Sequence, residues 1–141
     1  MTPREKRSKA AQACIDRFGG RPFDMTKRRD CARLGGHLLH HLDVAVPPLK
    51  GARYSTPAGA LRVMRRLGFA SLVEAVDSLG LERIAPARAV TGDLVALEAG
   101  EGDPFGCVLT VSVGNGRVFG FIDGKGQALQ PHKFVTAWRT I

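Results

Sequence analysis

The apolar positions of the chain follow helical spacing in the first half. Residues 4–18 carry a repeating apolar stripe and run into Gly19-Gly20, so an amphipathic first helix is predicted there. Asp30 can cap a second helix, because its carboxylate can accept hydrogen bonds from the first free backbone N–H groups. The buried stripe of that helix is Cys31, Leu34, Leu38 and Leu42. Cys31 is therefore predicted in the first turn of the second helix.

Two further helices are predicted beyond a loop at residues 44–55. Thr56 has the position of an N-cap for a third helix, which Gly68 closes. Ser71 and Glu74 have capping-box spacing at the start of a short fourth helix. The first half of the chain is therefore predicted to be helical.

Short apolar runs separated by turns replace the helical pattern in the second half. Asn115-Gly116 is a strong signal for a type I′ hairpin, and Asp123-Gly124 marks another turn. The predicted strands are 93–97, 107–113, 117–121 and 134–141. Helices followed by a meander of strands predict an α+β fold in which the helices pack against an antiparallel sheet. We expect one domain, 1–141, with its helical part at about 4–80 and its sheet part at about 93–141.

The net charge of +8 is concentrated in one half of the chain. Residues 1–66 hold 15 Lys and Arg against 5 Asp and Glu, whereas residues 67–141 hold 6 against 8. The basic half is expected to face an acidic partner or to be a solvated surface. Nucleic acid is one such partner, but neither zinc-finger spacing nor an interleaved aromatic platform accompanies the charge. Nucleic-acid binding is therefore the less favoured interpretation.

The remaining composition excludes several classes of protein. No run approaches the roughly 20 apolar residues that span a bilayer, and no apolar segment follows residues 1–7 as in a signal peptide. We expect a soluble protein made in a cytosol. The three cysteines are odd in number and lack C-x-x-C spacing, which argues against a disulfide framework and a four-ligand zinc site. Neither a metal nor a cofactor is expected.

Cys31 is the candidate nucleophile. A helix N-terminus lowers the pKa of a thiol, because free N–H groups and the aligned dipole favour the thiolate. Lys27, Arg28 and Arg29 lie just upstream and add positive charge. The alternative interpretation is structural, since a free cysteine on an apolar stripe is usually a small buried hydrophobe.

A cysteine hydrolase also needs a base, normally a histidine within about 3 Å of the sulfur. His37, His40 and His41 lie roughly 9, 13 and 15 Å along the helix axis from Cys31, so none can reach it. We expect His37 and His40 on a solvated face and His41 at a partly buried edge of the core. His132, before the last strand, is the one histidine left that folding could bring to Cys31.

Three short motifs together resemble the NlpC-type papain-like cysteine peptidases. They are Phe18-Gly19-Gly20-Arg21-Pro22-Phe23, Asp30-Cys31 at a helix start, and Gly92-Asp93-Leu94-Val95 at a strand start. The resemblance is closest to compact relatives encoded in the tail-gene clusters of phages, prophages and gene transfer agents. It implies that Cys31 is the nucleophile and that the Gly92-Asp93 pair begins the first strand of the sheet. It also implies a base on the strand after that one, at the position of Cys107 in Gly106-Cys107-Val108, where the family has Gly-His-Val. It also implies that Cys31 and Cys107 lie close together.

The missing histidine determines which functions the resemblance implies. We expect a structural protein of a phage tail tip or tail assembly with a degenerate peptidase fold, located in the virion or, during assembly, in the host cytoplasm. Its partners would be neighbouring tail proteins bound through the basic N-terminal half. One alternative is an active peptidoglycan peptidase or amidase that uses Cys31 with His132 or with a base from a partner chain. The other alternative is a basic nucleic-acid-binding domain.

Overall fold

The computed structural model describes residues 1–47 and 51–141, and in these residues four α-helices precede six β-strands. The helices are α1 (Pro3–Phe18), α2 (Cys31–His41), α3 (Pro57–Arg66) and α4 (Leu72–Asp77). The strands are β1 (Glu82–Ile84), β2 (Leu94–Leu97), β3 (Val108–Gly114), β4 (Arg117–Ile122), β5 (Lys125–Leu129) and β6 (Phe134–Arg139). Short 3₁₀ turns lie at Met25–Lys27 and Pro86–Arg88. The predicted α+β fold is confirmed.

Local capping explains where the helices begin. Asp30 accepts from the backbone N–H of Arg33 at the start of α2, and Thr56 accepts from that of Gly59 at the start of α3, as predicted. The predicted capping box at Ser71 is wrong. The Ser71 side chain makes no capping hydrogen bond, and the carboxylate of Glu74 accepts instead from the N–H of Ala70, one residue before the N-cap.

The six strands form one antiparallel sheet in the order β1-β6-β2-β3-β4-β5. The hairpin at Asn115 and Gly116 is confirmed, since both residues have the positive φ (57° and 72°) that a type I′ turn requires. The turn at Asp123 and Gly124 is confirmed in the same way. Strands β1 and β5 escaped prediction, so the sheet begins at residue 82 and not at about 93.

The main core lies between the four helices and one face of the sheet, where Leu34 of α2, Leu94 of β2 and Trp138 of β6 are fully buried. A smaller apolar cluster around Val95 and Val118 lies on the opposite face. The division of the chain into a single domain over 1–141 stays a prediction. Within the predicted loop at 44–55, residues 48–50 lie outside the described part of the chain. No described helix has the length and apolar character needed to cross a bilayer.

The glycine-rich segment after α1 is joined to β5. The N–H of Gly20 donates to the carbonyl of Gly126 (2.9 Å), and the N–H of Phe23 donates to that of Gly124 (2.8 Å). A Cβ on Gly126 would collide with the backbone carbonyl of Phe18, so this close approach requires glycine. The contact holds Phe23 beside the start of α2.

The Gly-Asp pair before β2 joins distant parts of the backbone. The Asp93 carboxylate is fully buried and accepts from the N–H of Val90 (3.0 Å), the N–H of Thr140 (3.1 Å) and Nε of Arg139 (2.9 Å). These bonds tie the segment before β2 to the end of β6. The role of the pair in this chain is therefore to hold the sheet together.

Candidate functional site

Cys31 is the first residue of α2 and lines a small pocket between that helix and the sheet. The pocket has a volume of about 100 Å³. Its walls are mainly apolar and consist of Phe23, Met25, Pro57, Pro104, Phe105, Val108 and Phe121, with Asp103 as the acidic member. The helical position of Cys31 agrees with the sequence analysis, but only 7% of the residue is exposed.

The surroundings of Cys31 favour the neutral thiol. Burial raises its pKa well above the usual 9.0, and the nearby Cys107, Asp30 and Asp103 raise it further, against a lowering by the backbone of Leu109. The expectation that the helix start lowers this pKa is therefore wrong, because desolvation of a buried thiolate outweighs the helix dipole. The thiol contacts the backbone carbonyl of Cys107, with 4.0 Å between sulfur and oxygen.

Cys107 immediately precedes β3 and is fully buried beside the start of α2. Burial, followed by the charge of Asp103, raises the pKa of its thiol to about 12. The structure thus brings Cys31 and Cys107 together, and all the cysteine thiols are free. The assignment of Cys107 to the family's base position stays a prediction.

His132 is exposed and lies in the connection between β5 and β6. Leu129, before it, packs in the apolar cluster around Val95, and Phe134, after it, lines a surface hollow with Val95 and Val118. Both flanking residues thus contact the cluster on the face of the sheet opposite the main core, and His132 is not among the residues that line the Cys31 pocket.

The remaining histidines lie in the second half of α2. His37 is half-buried, because its ring packs edge-on against Phe18 of α1 with 5.7 Å between centroids. Burial and the charge of Arg17 lower the pKa of His37. His41 is exposed, so the expectation that it forms the core edge is wrong, and His37 has that place. In the described part of the chain, no histidine lines the Cys31 pocket.

Comparisons with known proteins bear on this arrangement. A family model described as "Domain of unknown function (DUF6950)" matches residues 3–140. The chain belongs to this family. No curated protein matches the chain. The DUF6950 chain is also similar to the solved structure of NlpC2 from Trichomonas vaginalis, with a TM-score of 0.55 and 13% identity.

That similarity covers 95% of the DUF6950 chain and 47% of the NlpC2 chain, so our protein spans about half the length of its structural neighbour. At this identity the match shows the fold alone. The predicted NlpC-like fold, with N-terminal helices packed against an antiparallel sheet, is confirmed. The resemblance to phage tail-cluster relatives stays a prediction.

A buried ionic network of Asp30, Arg33 and Tyr54 adjoins the Cys31 thiol of the DUF6950 chain. Of these three residues, the sequence patterns indicated only Asp30, as a helix cap. The Asp30 carboxylate accepts from Nη1 of Arg33 (2.5 Å) and from the hydroxyl of Tyr54 (2.9 Å). The Arg33 guanidinium stacks over the Tyr54 ring at 3.5 Å from its centroid and donates to the Tyr54 carbonyl at 2.8 Å. Burial, and then the charge of Asp30, raise the pKa of Tyr54. The network fixes the loop before α3 against the start of α2.

Proposed function

We propose that this chain is a papain-like module without peptidase activity, which serves as a structural protein of a phage tail tip or tail assembly. The observation that carries the loss of catalysis is the setting of Cys31. Its thiol is buried among apolar side chains, next to a backbone carbonyl and near a carboxylate, in the place where a cysteine peptidase holds an imidazole against its nucleophile.

Three physical features oppose nucleophilic attack by this thiol. The raised pKa of Cys31 keeps the sulfur protonated near neutral pH, so the thiolate is scarce. Asp103, the ionisable wall of the pocket, disfavours the thiolate by its negative charge, whereas a histidine would favour it. The low exposure of Cys31 also leaves little room for a scissile carbonyl to approach the sulfur.

The resemblance of the sequence motifs to phage tail-cluster relatives supports the role in tail assembly. The basic charge of the N-terminal half supports neighbouring tail proteins as its partners. The excess of Lys and Arg within residues 1–66 suits acidic surfaces of neighbouring subunits. On this proposal the chain is found in the virion tail or, during assembly, in the host cytoplasm.

An active peptidoglycan cysteine peptidase or amidase is the second candidate. It is favoured by one observation, that Cys31 occupies the first position of α2 and lines a pocket. His132 is not among the residues that line the Cys31 pocket, so this candidate needs a base from a partner chain. Binding of that partner would also have to uncover the thiol.

Alkylation of the native protein followed by peptide mass spectrometry tests the proposal. We expect iodoacetamide to modify Cys31 at a rate that still rises at pH 9, because its pKa is raised above that value. Cys14 is a matched internal control, since burial raises the pKa of its thiol to about 12. In parallel, purified peptidoglycan should release no fragments with the wild type or with Cys31→Ala. Cleavage by the wild type that disappears in Cys31→Ala, or a reaction rate that levels off below pH 7, would contradict the proposal.

A further inference from the structure

A groove lined by arginines runs along α3 and the segment that precedes it. Its volume is about 550 Å³. Arg53 lies on the preceding segment, while Arg62, Arg65 and Arg66 lie on the helix at i, i+3 and i+4, so these three are close neighbours on its surface. Four arginines thus line one concave surface.

The groove continues into a second hollow of about 370 Å³ at the side of α2. Arg53 and Tyr54 line both hollows, and Arg28 and Arg33 extend the second one. The Asp30 network holds Tyr54, which lines both hollows, and Arg33, which lines the second one. The combined surface is a track longer than a pocket for a single small anion.

A carboxylate neutralises one arginine of this track, Arg33, which pairs with Asp30. The ion pairs of the described residues engage Lys6, Arg33, Arg83 and Arg139, so the groups at Arg28, Arg53, Arg62, Arg65 and Arg66 have no acidic partner there. Among the residues that the structure describes, no Asp or Glu lines either hollow. Like charges held this close repel one another, and an anionic ligand would relieve that repulsion.

The composition of the groove favours a phosphate chain over a protein surface. Protein interfaces concentrate apolar and aromatic side chains at their centre and are depleted there of Lys, Asp and Glu but not of Arg, so the scarcity of apolar surface, and not the arginines, is what argues against a protein partner. The large exposed apolar residues of the described chain lie elsewhere, at Met1, Phe23, Val90, Phe134, Val135 and Ile141. The groove instead offers guanidinium groups beside the hydroxyls of Ser55 and Thr56. Arginine with serine and threonine is the donor set that contacts nucleic-acid phosphates.

We infer that the α3 groove binds the phosphodiester backbone of a nucleic acid without reading its sequence. The inference is independent of the thiol chemistry, because Cys31 opens into a different pocket. Binding would depend on guanidinium–phosphate contacts and on the release of counterions. The affinity should therefore fall steeply as salt increases.

Fluorescence anisotropy with a labelled 20-nucleotide oligothymidylate measures this binding. The test variant is Arg62→Gln/Arg65→Gln/Arg66→Gln, and the control removes the same charge elsewhere by Arg4→Gln/Lys9→Gln/Lys133→Gln, all at exposed positions. For single strands, each lost phosphate contact reduces the slope of log K against log salt by about 0.7, so the test variant should lose about 2. We expect its affinity at 50 mM salt to fall by at least tenfold (on the order of 10² for three full contacts), and that of the control to change about threefold or less.

Further arms of the experiment identify the ligand. A variant in which the same three arginines are replaced by lysine keeps the charge, so it should restore most of the salt dependence. That result would show that the glutamine variant loses affinity because it loses positive charge. Three results would overturn the inference: no binding at 50 mM salt, equal losses in the test and control variants, or displacement of the oligonucleotide by a polyglutamate peptide of equal charge at lower concentration. The last result would assign the groove to an acidic protein. Unchanged thermal unfolding of all variants shows that each is folded.

Discussion

The substitution Asp30→Asn tests whether the buried network beside Cys31 stabilises the fold. Asparagine caps a helix about as well as aspartate, so the hydrogen bond to the N–H of Arg33 can persist and the cap is not the variable. The change removes the charge that faces Arg33 and puts an amide donor against its guanidinium. Asp30 has no exposed surface, whereas the Arg33 side chain is 19% exposed.

The expected loss follows from that burial. Breaking one partner of a buried ion pair costs about 3–5 kcal/mol, and the lower end applies because water can reach Arg33. We therefore expect unfolding free energy to fall by about 3 kcal/mol. With an unfolding entropy of roughly 2.1 cal/mol/K per residue, a chain of 141 residues should lose about 10 °C in Tm.

Urea unfolding provides the assay, and Trp138 provides the signal, because it is the single tryptophan and is fully buried. The matched control is Asp43→Asn, which breaks an exposed pair with Lys6 (2.8 Å). Asn tolerates the left-handed backbone at position 43 (φ 58°), so that variant should unfold like the wild type. If both variants unfold within about 0.5 kcal/mol of each other, the reasoning about burial is refuted.

Two further predictions concern contacts that hold the sheet. Gly126→Ala should lower the free energy of unfolding by about 3 kcal/mol, because the added Cβ meets the backbone of Phe18. The control is Gly124→Ala, where φ is 83° and the added Cβ meets open space, and it should cost only about 1–2 kcal/mol. Urea unfolding measures both losses, and equal losses would contradict the prediction. Asp77 accepts from the guanidinium of Arg83 (2.8 Å from Nε) and from the indole N–H of Trp138 (2.9 Å). The hydrogen bond from Arg83, followed by that from Trp138, lowers the pKa of Asp77 below the usual 3.8. The contribution of the Asp77 carboxylate to stability is therefore present above about pH 4 and is lost as the pH falls through the lowered pKa. We expect Asp77→Asn to flatten the acid limb of a plot of Tm against pH. An unchanged acid limb would contradict this prediction.

Local signals in the sequence predicted the elements that local chemistry determines. A cap such as Asp30 or Thr56 acts within three residues, and the Asn115-Gly116 turn carries its own backbone preference. These features could therefore be read from neighbouring residues. The confirmed helices and the confirmed hairpin are of this kind.

Elements that depend on distant partners escaped prediction. Strand β1 has three residues and gains its hydrogen bonds from β6, more than 50 positions later in the chain. Strand β5 contains Gly126 and Gln127 and shows no clean alternation of apolar and polar positions. Its partners are β4 and the segment after α1. The pairing of these strands is a property of the assembled sheet.

The candidate site divides in the same way. The position of Cys31 at the head of α2 follows from Asp30 and the apolar stripe. The pocket around it is built from Phe23, Phe105 and Phe121, which come from three separate parts of the chain. Desolvation by these walls reverses the sign of the pKa shift, so no local pattern could have given it.

The Asp30 cap also explains why a helix start does not activate this thiol. The N–H of Arg33, one of the free donors of the first turn, points at the Asp30 carboxylate and not at the sulfur. A buried negative charge at the N-cap offsets the positive end of the helix dipole, and it raises the pKa of Cys31 directly. The same carboxylate orients Tyr54, which lines both arginine-lined hollows, and Arg33, which lines the second. A change that removed this charge would relieve one of the smaller contributions to the raised pKa of Cys31, since burial is the largest, and it would also release Arg33 and Tyr54 from their shared acceptor.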